Sequence, residues 1–452
     1  MANPKVLSKE DIDEFKSNFE SNDKNLFAQN VMHEFGPTTY SGILNPKAKL
    51  AIDDVFSHKI DDMSPATNQE DSGRCWIFAG LNAMRGPFKK DKKLEEFEFS
   101  QNYLFFWHKI ESSNNFLHTI YKIYKDSPNE KPEGRLLSFH LGNPCLDGGN
   151  WNIFSNLVAK YGVMPKECFP DNGSSKSSSA MNVILKSKLQ QFAFELSKVV
   201  EVMTEEEIQT RIKTYMNIIY RIVGICLGIP PDTFIWRFKD EDKNQQRIGP
   251  ITPLEFYNGH VKPHFDLSTK VHLCADPRPS RLVGQTYINK FMGEMVGAED
   301  NCILNVEIGT LMRIASKSIQ DGEAVLFDAY FSGEFISGKY LDTELFNYKL
   351  VFDTDVFTSM TKANRIIFSS SEEMSNHMVL LTGVDIDETT EKTLKWRTEN
   401  SYGDDDDADQ YLTMTNAWFK EFGYAIIVDK SHCSEEILEG FKTTPICLPF
   451  WD

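Results

Sequence analysis

The chain has 452 residues, enough for two typical domains or for one core enlarged by an insertion. Its 66 acidic and 48 basic side chains give a formal charge of −18, which disfavours nucleic acid as the main partner. Apolar runs stay short of the ~20 residues of a membrane span, and the amino terminus lacks the apolar centre of a secretory signal. We therefore expect a cytoplasmic protein without a membrane partner.

The first part of the chain, residues 1–67, predicts helices followed by an extended arm. Ser8 and Asp11 are spaced like a capping box, and the apolar residues after them fall on one helical face. Turn-forming residues are frequent between 37 and 74, which favours an extended segment. This segment leads into the stretch NQEDSGRCWIFAG, which contains Cys75.

Residues 68–180 predict a helical subdomain. The apolar run that begins at Cys75 indicates a buried helix, and the pair Gly86 and Pro87 predicts its end. The low-complexity stretch 171–180, DNGSSKSSSA, predicts a mobile loop.

The pattern then changes twice. Residues 181–300 predict a large helical insertion with two long helices, the second opened by Thr204 and Glu207 in capping-box register. Residues 301–452 predict an antiparallel β subdomain. Its short β-rich runs are 323–331, 376–386, 393–403, 410–416 and 423–430. A helical half followed by a sheet half predicts an α+β fold.

The eight cysteines are scattered along the chain without C-x-x-C pairs, so we expect reduced thiols rather than a metal centre. His260 and His264 stand four residues apart, as zinc ligands on a helix would. Pro263 interrupts that helix, however, and a third ligand is not evident. We therefore expect no bound metal.

Four residues together point to acyl transfer. Cys75 lies where a loop becomes a helix, and a helix start lowers the pKa of a thiol. His377 begins a β-rich run, and Asn400 lies at the end of the next one. An imidazole held by an amide is what a thiolate–imidazolium pair needs. The side-chain amide of Gln69 and the backbone N–H of Cys75 could then donate to an oxyanion.

The stretches around Cys75, NQEDSGRCWIFAG, and around Asn400, KWRTENSYGD, resemble segments of the papain-like cysteine peptidases. Within these peptidases they resemble the bleomycin hydrolase or aminopeptidase C family. The resemblance runs from about residue 30 to the carboxyl terminus. His377 follows Cys75 by 302 positions, whereas ordinary papain relatives have ~130–150 between them. The family is enlarged by a helical insertion, which fits this spacing. Its segments recur here in order as NQEDSGRCWIFAG, LDGGNWNIF, YGVMPKECFP, GIPPDTFIW, TPLEFYNGHVKP, DPRP, SIQDGEAVLFD, KWRTENSYGD and WFKEFGYAIIVDK.

The resemblance implies a papain-like fold and a cysteine exopeptidase of broad specificity, an aminopeptidase that acts on peptides. It implies a homohexameric ring with active sites facing an internal channel, and no metal or organic cofactor. Carried over by motif, Cys75, His377 and Asn400 are catalytic, Gln69 forms the oxyanion hole, and Trp76 supports them.

Three features depart from the family pattern. Tyr402 stands where the family has a tryptophan that shields the contact between His377 and Asn400, and we expect a phenol to shield it less well. The acidic stretch 404–409 is expected to be a solvated turn rather than a calcium site. The chain also stops short of the family's carboxyl-terminal tail, whose carboxylate pairs with the substrate's amine. A missing tail would favour an endopeptidase or an altered exopeptidase as the alternative. The remaining alternatives are an inactive ring-forming scaffold and a nucleic-acid binder.

Overall fold

A computed structural model describes residues 5–35, 43–127, 134–289, 295–298, 302–356, 360–368, 374–404 and 409–448. The helices are α1 Lys9–Glu20, α2 Asp23–Phe35, α3 Pro46–Ala51, α4 Cys75–Lys92, α5 Gln101–Asp126, α6 Arg135–Gly142, α7 Trp151–Tyr161, α8 Gly173–Lys176, α9 Ser179–Ser197, α10 Glu205–Leu227, α11 Pro253–Phe256, α12 Ile308–Gln320, α13 Tyr348–Phe352, α14 Lys362–Phe368, α15 Asn416–Phe422 and α16 Glu435–Gly440.

The strands are β1 His58–Lys59, β2 Phe234–Lys239, β3 Gln245–Ile251, β4 Lys270–Cys274, β5 Thr286–Asn289, β6 Ile303–Asn305, β7 Val325–Ala329, β8 Ile336–Ser337, β9 Tyr340–Leu341, β10 His377–Ile386, β11 Thr393–Glu399, β12 Tyr411–Thr415, β13 Gly423–Asp429 and β14 Ile446–Leu448. All except β2 and β3 join one sheet, in the order β14-β5-β6-β4-β13-β7-β10-β11-β12-β9-β8, with β1 paired to β10.

The five β-rich runs of the carboxyl-terminal part form β7, β10, β11, β12 and β13, which pair with one another in antiparallel fashion as predicted. Parallel pairs occur farther out, between β12 and β9, β4 and β6, and β14 and β5. Helices precede most of these strands in the chain, so the α+β class is confirmed.

The sheet separates two hydrophobic cores because side chains alternate between its faces. Leu326, Leu380 and Ile427 point toward the core that contains α4 and the long helices α5, α9 and α10. Phe327 and Ile426 belong to the core that contains α12 and α15 on the other face. Because of this alternation, only strand residues whose side chains point into the first of these cores can face α4.

The predicted end of α4 at Gly86 and Pro87 is wrong, because the helix continues through Pro87 to Lys92. Proline removes one backbone donor, but tertiary packing offsets that loss. Phe88 is fully buried against Phe97, Phe99, Trp236 and Phe256, which holds the last turn in place.

The predicted loop at 171–180 is mostly helical, since it contains α8 and the start of α9. The side chain of Asn172 accepts hydrogen bonds from the backbone N–H groups of Ser174 and Ser175 and so caps α8. Ser175 and Ser178 are buried, and Ser175 donates to Asp171. Serines that satisfy local backbone groups gave the stretch its loop-like composition.

Other local predictions agree with the structure. The capping boxes of Ser8 with Asp11 and of Thr204 with Glu207 open α1 and α10. Within residues 181–300, α9 and α10 are followed by the β2–β3 hairpin and by β4, which lies between β13 and β6 in the main sheet. The domain boundaries stay a prediction. Within the described ranges, no helix combines the length and apolarity that crossing a membrane requires.

Candidate active site

Cys75 is the first residue of α4, an 18-residue helix. The backbone N–H groups of Met378 and Trp76 act on its thiol and lower the pKa, against the effect of burial. The residue remains partly accessible to solvent. A thiol at this position faces the positive end of the helix dipole and can be reached by a substrate.

Trp76 is buried and fixes the start of α4 against the loop that precedes α7. Its indole Nε1 donates to the carbonyl oxygen of Asp147 at 2.9 Å. A Cβ on Gly149 would lie 2.5 Å from Cε2 of the Trp76 ring, so only glycine permits this approach. The ring edge also meets His108 with 4.9 Å between centroids.

His377 is the first residue of β10, and its Nε2 lies 2.8 Å from Oδ1 of Asn400. The same Oδ1 accepts a hydrogen bond from the backbone N–H of Ser401 at 2.9 Å, which identifies it as the amide oxygen. An amide oxygen only accepts, so Nε2 carries a hydrogen. Nδ1 is then the ring nitrogen that can take up a further proton.

Two aromatic rings hold the imidazole of His377. Phe331 meets it edge-on, with centroids 5.0 Å apart and planes at 80°. Tyr402 stacks on it, with centroids 5.3 Å apart and planes at 18°. Tyr402 is itself 46% exposed, so the phenol covers the imidazole from the solvent side.

The side chain of Gln69 is buried and oriented at both ends. Its Oε1 accepts from the hydroxyl of Ser401 at 2.7 Å, and its Nε2 donates to the carbonyl of Ser72 at 2.7 Å. The backbone N–H of Gln69 also donates to the carbonyl of Ser401 at 2.8 Å. A side-chain amide has two N–H bonds, so the second one remains for another acceptor.

Burial dominates the electrostatics of the thiol and the imidazole. It raises the pKa of Cys75 to about 11; the N–H of Met378 opposes this change and the carboxylate of Asp328 adds to it. Burial lowers the pKa of His377, while the hydrogen bond to Asn400 raises it. Burial therefore disfavours the charged form of each of the two groups.

The six predicted site residues lie in three places: the segment 69–76, the segment 400–402 and the start of β10. The first two segments contact each other through Gln69 and Ser401. Sequence reasoning missed the residues that join these segments. Ser401 contacts both Gln69 and Asn400, and Glu399 forms an ion pair with Arg85 of α4 at 2.8 Å. The motif ENSYG contains Glu399 and Ser401, but their partners are distant in the chain and the motif gives no signal for them.

No group of three or more histidine, cysteine or carboxylate side chains that could hold a metal ion occurs among the described residues. His264 instead lies 3.3 Å from a carboxylate oxygen of Asp91. Residues 405–408 of the acidic stretch and 449–452 at the carboxyl end lie outside the described residues, so the expectations about them remain untested.

Comparison with known proteins gives a consistent result. A model of the peptidase C1-like family matches residues 6–452. Bleomycin hydrolase of Gallus gallus is 42% identical over 402 residues, which cover 88% of this chain and 87% of that protein. Aminopeptidase C of Lactobacillus delbrueckii subsp. lactis is 32% identical over 455 residues, covering 99% and 98%. The crystal structure of PepW from Lactobacillus rhamnosis matches with a TM-score of 0.93 and 31% identity, covering 99% of this chain and 98% of that one.

Proposed function

The chain belongs to the peptidase C1-like family, with its papain-like fold, and is a cysteine-type aminopeptidase of the bleomycin hydrolase and aminopeptidase C type; we propose that Cys75 and His377 carry its reaction. In this proposal Asn400 orients the imidazole and Gln69 stabilises the oxyanion. Peptides with a free amino terminus are the substrates.

The observation that supports this assignment best is the pair of contacts made by the segment 400–401. Asn400 Oδ1 holds the Nε2–H of His377, and Ser401 holds Gln69. One short segment thus contacts both side chains that this proposal assigns as the base and the oxyanion donor. Such preorganisation is what acyl transfer requires, because donors that are already oriented need no rearrangement in the transition state.

The reaction begins when the thiol proton moves to Nδ1 of His377 and the sulfur attacks the scissile carbonyl carbon. The carbonyl oxygen becomes an oxyanion, which accepts from the second N–H of Gln69 and from the backbone N–H of Cys75. The imidazolium then gives its proton to the amine as the C–N bond breaks, leaving a thioester. Water attacks the thioester, its proton passes to the imidazole, and the thiol is regenerated as the acid leaves.

Tyr402 covers the imidazole in place of a larger indole, and Trp76 anchors the helix start. Both act through other residues and are positioning residues in this scheme. A homohexameric ring and a cytoplasmic location stay predictions, as does the expectation that nucleic acid is not a partner.

Covalent labelling tests the proposal directly. An epoxysuccinyl inhibitor should modify Cys75 stoichiometrically at pH 7, as measured by intact mass and peptide mapping. His377→Ala should slow this labelling by at least about 100-fold, because the thiol loses its proton acceptor. The matched control His58→Ala removes an exposed imidazole of β1 and should label at the wild-type rate. Equal labelling rates for His377→Ala and the wild type would exclude the proposed pair.

A further inference from the structure

Arg74 directly precedes Cys75, yet the proposed reaction assigns no role to it. Its side chain is completely excluded from solvent. The guanidinium lies over the rings of Phe78 and Phe105, with Cζ 5.2 and 5.4 Å from their centroids. A buried arginine needs a charged partner and acceptors for its N–H groups, and these partners show what Arg74 holds in place.

The counter-charge of Arg74 is Asp171, just before α8. Arg74 Nη1 donates to Asp171 Oδ1 at 2.6 Å, and the side chain of Asp171 is only 7% exposed. The hydroxyl of Ser175 donates to the same carboxylate oxygen at 2.8 Å. Burial acts to raise the pKa of Asp171, but Arg74 and Ser175 hold that pKa below its ordinary value. The carboxylate is therefore charged at neutral pH and fixes one end of the guanidinium.

Two other nitrogens of Arg74 donate to the loop 69–73. Nε donates to Ser72 Oγ at 2.8 Å, and Nη2 donates to the backbone carbonyl of Gln69 at 3.4 Å. Ser72 Oγ donates to the same carbonyl at 2.5 Å, and the carbonyl of Ser72 accepts from Gln69 Nε2 at 2.7 Å. Arg74 thus holds Ser72, and Ser72 orients the amide that the proposed reaction uses as an oxyanion donor.

The loop 69–73 needs this support because its backbone is strained. Glu70 has a φ of 54°, in the left-handed region that residues other than glycine rarely adopt. Such a conformation is unfavourable and persists only where surrounding contacts hold it. Because Glu70 is the chain neighbour of Gln69, a loop released from Arg74 would relax at Glu70 and carry the amide of Gln69 with it.

We propose that Arg74 is a positioning residue for the oxyanion donor: held by Asp171, it fixes Ser72 and thereby the side-chain amide of Gln69. This inference rests on the proposed function, in which Gln69 donates to the oxyanion. A planar guanidinium binds a carboxylate, a hydroxyl and a carbonyl through separate N–H groups, whereas an ammonium group has a single nitrogen and cannot span them. Arg74 is excluded from solvent, so it does not contact the substrate and acts through this loop.

The test separates oxyanion stabilisation from the reactivity of the thiol. Hydrolysis of the 7-amino-4-methylcoumarin amide of alanine passes through an oxyanion and gives kcat and KM. Alkylation of Cys75 by iodoacetamide displaces iodide from a saturated carbon, so it needs the thiolate but forms no oxyanion. Arg74→Lys keeps the charge and removes the fork. Arg278→Lys is the matched control, because Arg278 pairs with another buried carboxylate, that of Asp276, also at 2.6 Å.

Arg74→Lys should lower kcat about 10-fold with a smaller change in KM, since the oxyanion donor is misplaced rather than absent. Iodoacetamide should label Cys75 of this variant within about 2-fold of the wild-type rate. Arg278→Lys should leave both rates unaltered. In the Gln69→Ala background, Arg74→Lys should change kcat by less than about 2-fold, because the group that Arg74 positions is already gone.

Ser72→Ala is a second variant that keeps the buried ion pair, so it serves the test even if Arg74→Lys does not fold. It removes the hydroxyl that accepts from Arg74 and leaves the carbonyl that accepts from Gln69. Ser72→Ala should show the same pattern with a smaller loss of kcat, about 3-fold. Urea unfolding establishes that each variant is folded under the assay conditions.

Equal losses in kcat and in labelling rate would overturn the inference and show that Arg74 supports the thiol instead. A full loss retained in the Gln69→Ala background, or a wild-type kcat in both Arg74→Lys and Ser72→Ala, would also overturn it while the proposed function stands. An unchanged kcat in Gln69→Ala would refute the oxyanion role and the inference with it. A wild-type chain that cleaves no peptide amide and leaves Cys75 unlabelled would overturn the proposed function as well.

Discussion

Arg85 Nη2 lies 2.8 Å from Glu399 Oε1, and both side chains are excluded from solvent. Arg85 belongs to α4, which begins with Cys75, while Glu399 directly precedes Asn400. Side-chain amides of Asn82 and Gln410 also donate to Glu399 Oε1. This buried ion pair joins the helix that presents the thiol to the strand that presents the amide partner of the imidazole.

Breaking this pair should destabilise the fold strongly. Glu399→Gln leaves the guanidinium of Arg85 buried without a counter-charge, which typically costs about 3–5 kcal/mol. Urea unfolding at pH 7.5 measures the loss. The control Lys16→Ala breaks an exposed pair with Glu20 and should change the unfolding free energy by less than about 0.5 kcal/mol. The double variant Arg85→Met with Glu399→Met should recover part of the loss, and a Glu399→Gln variant as stable as the wild type contradicts this account.

Gln69 should contribute mainly to the transition state. Gln69→Ala removes one oxyanion donor and should lower kcat by about 10²–10³ with a smaller change in KM. The control Gln190→Ala removes an amide that donates to the carbonyl of Leu141, outside the candidate site, and should leave kcat unaltered. An unchanged kcat for Gln69→Ala removes its assigned role.

Ser401 should act through Gln69, since its hydroxyl holds Oε1 of that side chain. Ser401→Ala should lower kcat less than Gln69→Ala does, because the amide is released but still present. In a double-mutant cycle, adding Ser401→Ala to Gln69→Ala should cause little further loss. Fully additive losses would show that the two residues act independently.

How much of this site the sequence predicts depends on whether the interactions that form it join residues close together or far apart in the chain. Cys75 at a helix start and His377 at a strand start were predicted, because periodicity and turn residues are local signals. The helix past Pro87 was not, because it depends on Phe88 packing against aromatic residues far away in the chain. Asp328 lies in a run whose apolar character predicted a strand, and only the antiparallel register sets it opposite Met378.

Asn400 should set the pH range of activity. Its hydrogen bond raises the pKa of His377, so Asn400→Ala should lower that pKa. If the active form needs the imidazolium, the alkaline limb of kcat/KM must then move to lower pH. We also expect kcat/KM at the optimum to fall about 10- to 100-fold, because the ring is less well oriented.

A pH–rate profile from pH 5 to 9 measures both effects of Asn400→Ala. Asn416→Ala is a matched control, since its amide oxygen likewise accepts from a ring N–H, that of Trp396, at 3.3 Å. It should keep the position of the wild-type limb. An alkaline limb that moves upward in Asn400→Ala would contradict the assigned hydrogen bond.

His272 should make the fold sensitive to acid. It lies on β4 between β13 and β6, where burial lowers its pKa to about 4. An unfolded histidine titrates near 6.5, so between pH 6.5 and 4 the unfolded chain binds a proton that the folded chain does not. Stability that is present above pH 6.5 is therefore lost as the pH falls. The expected loss from this residue between pH 7.5 and pH 5 is about 2 kcal/mol.

Urea unfolding of the wild type and of His272→Leu at pH 7.5 and pH 5 isolates this contribution. The leucine variant should lose about 2 kcal/mol less than the wild type between the two pH values, because it has no group to protonate. His33→Leu replaces an exposed imidazole and should retain the wild-type difference. For each chain, the unfolding free energy at pH 5 is subtracted from that at pH 7.5. Carboxylates common to the wild type and both variants contribute equally to the three differences and cancel when these are compared. If His272→Leu and the wild type lose the same stability, the buried imidazole is not the acid-sensitive group.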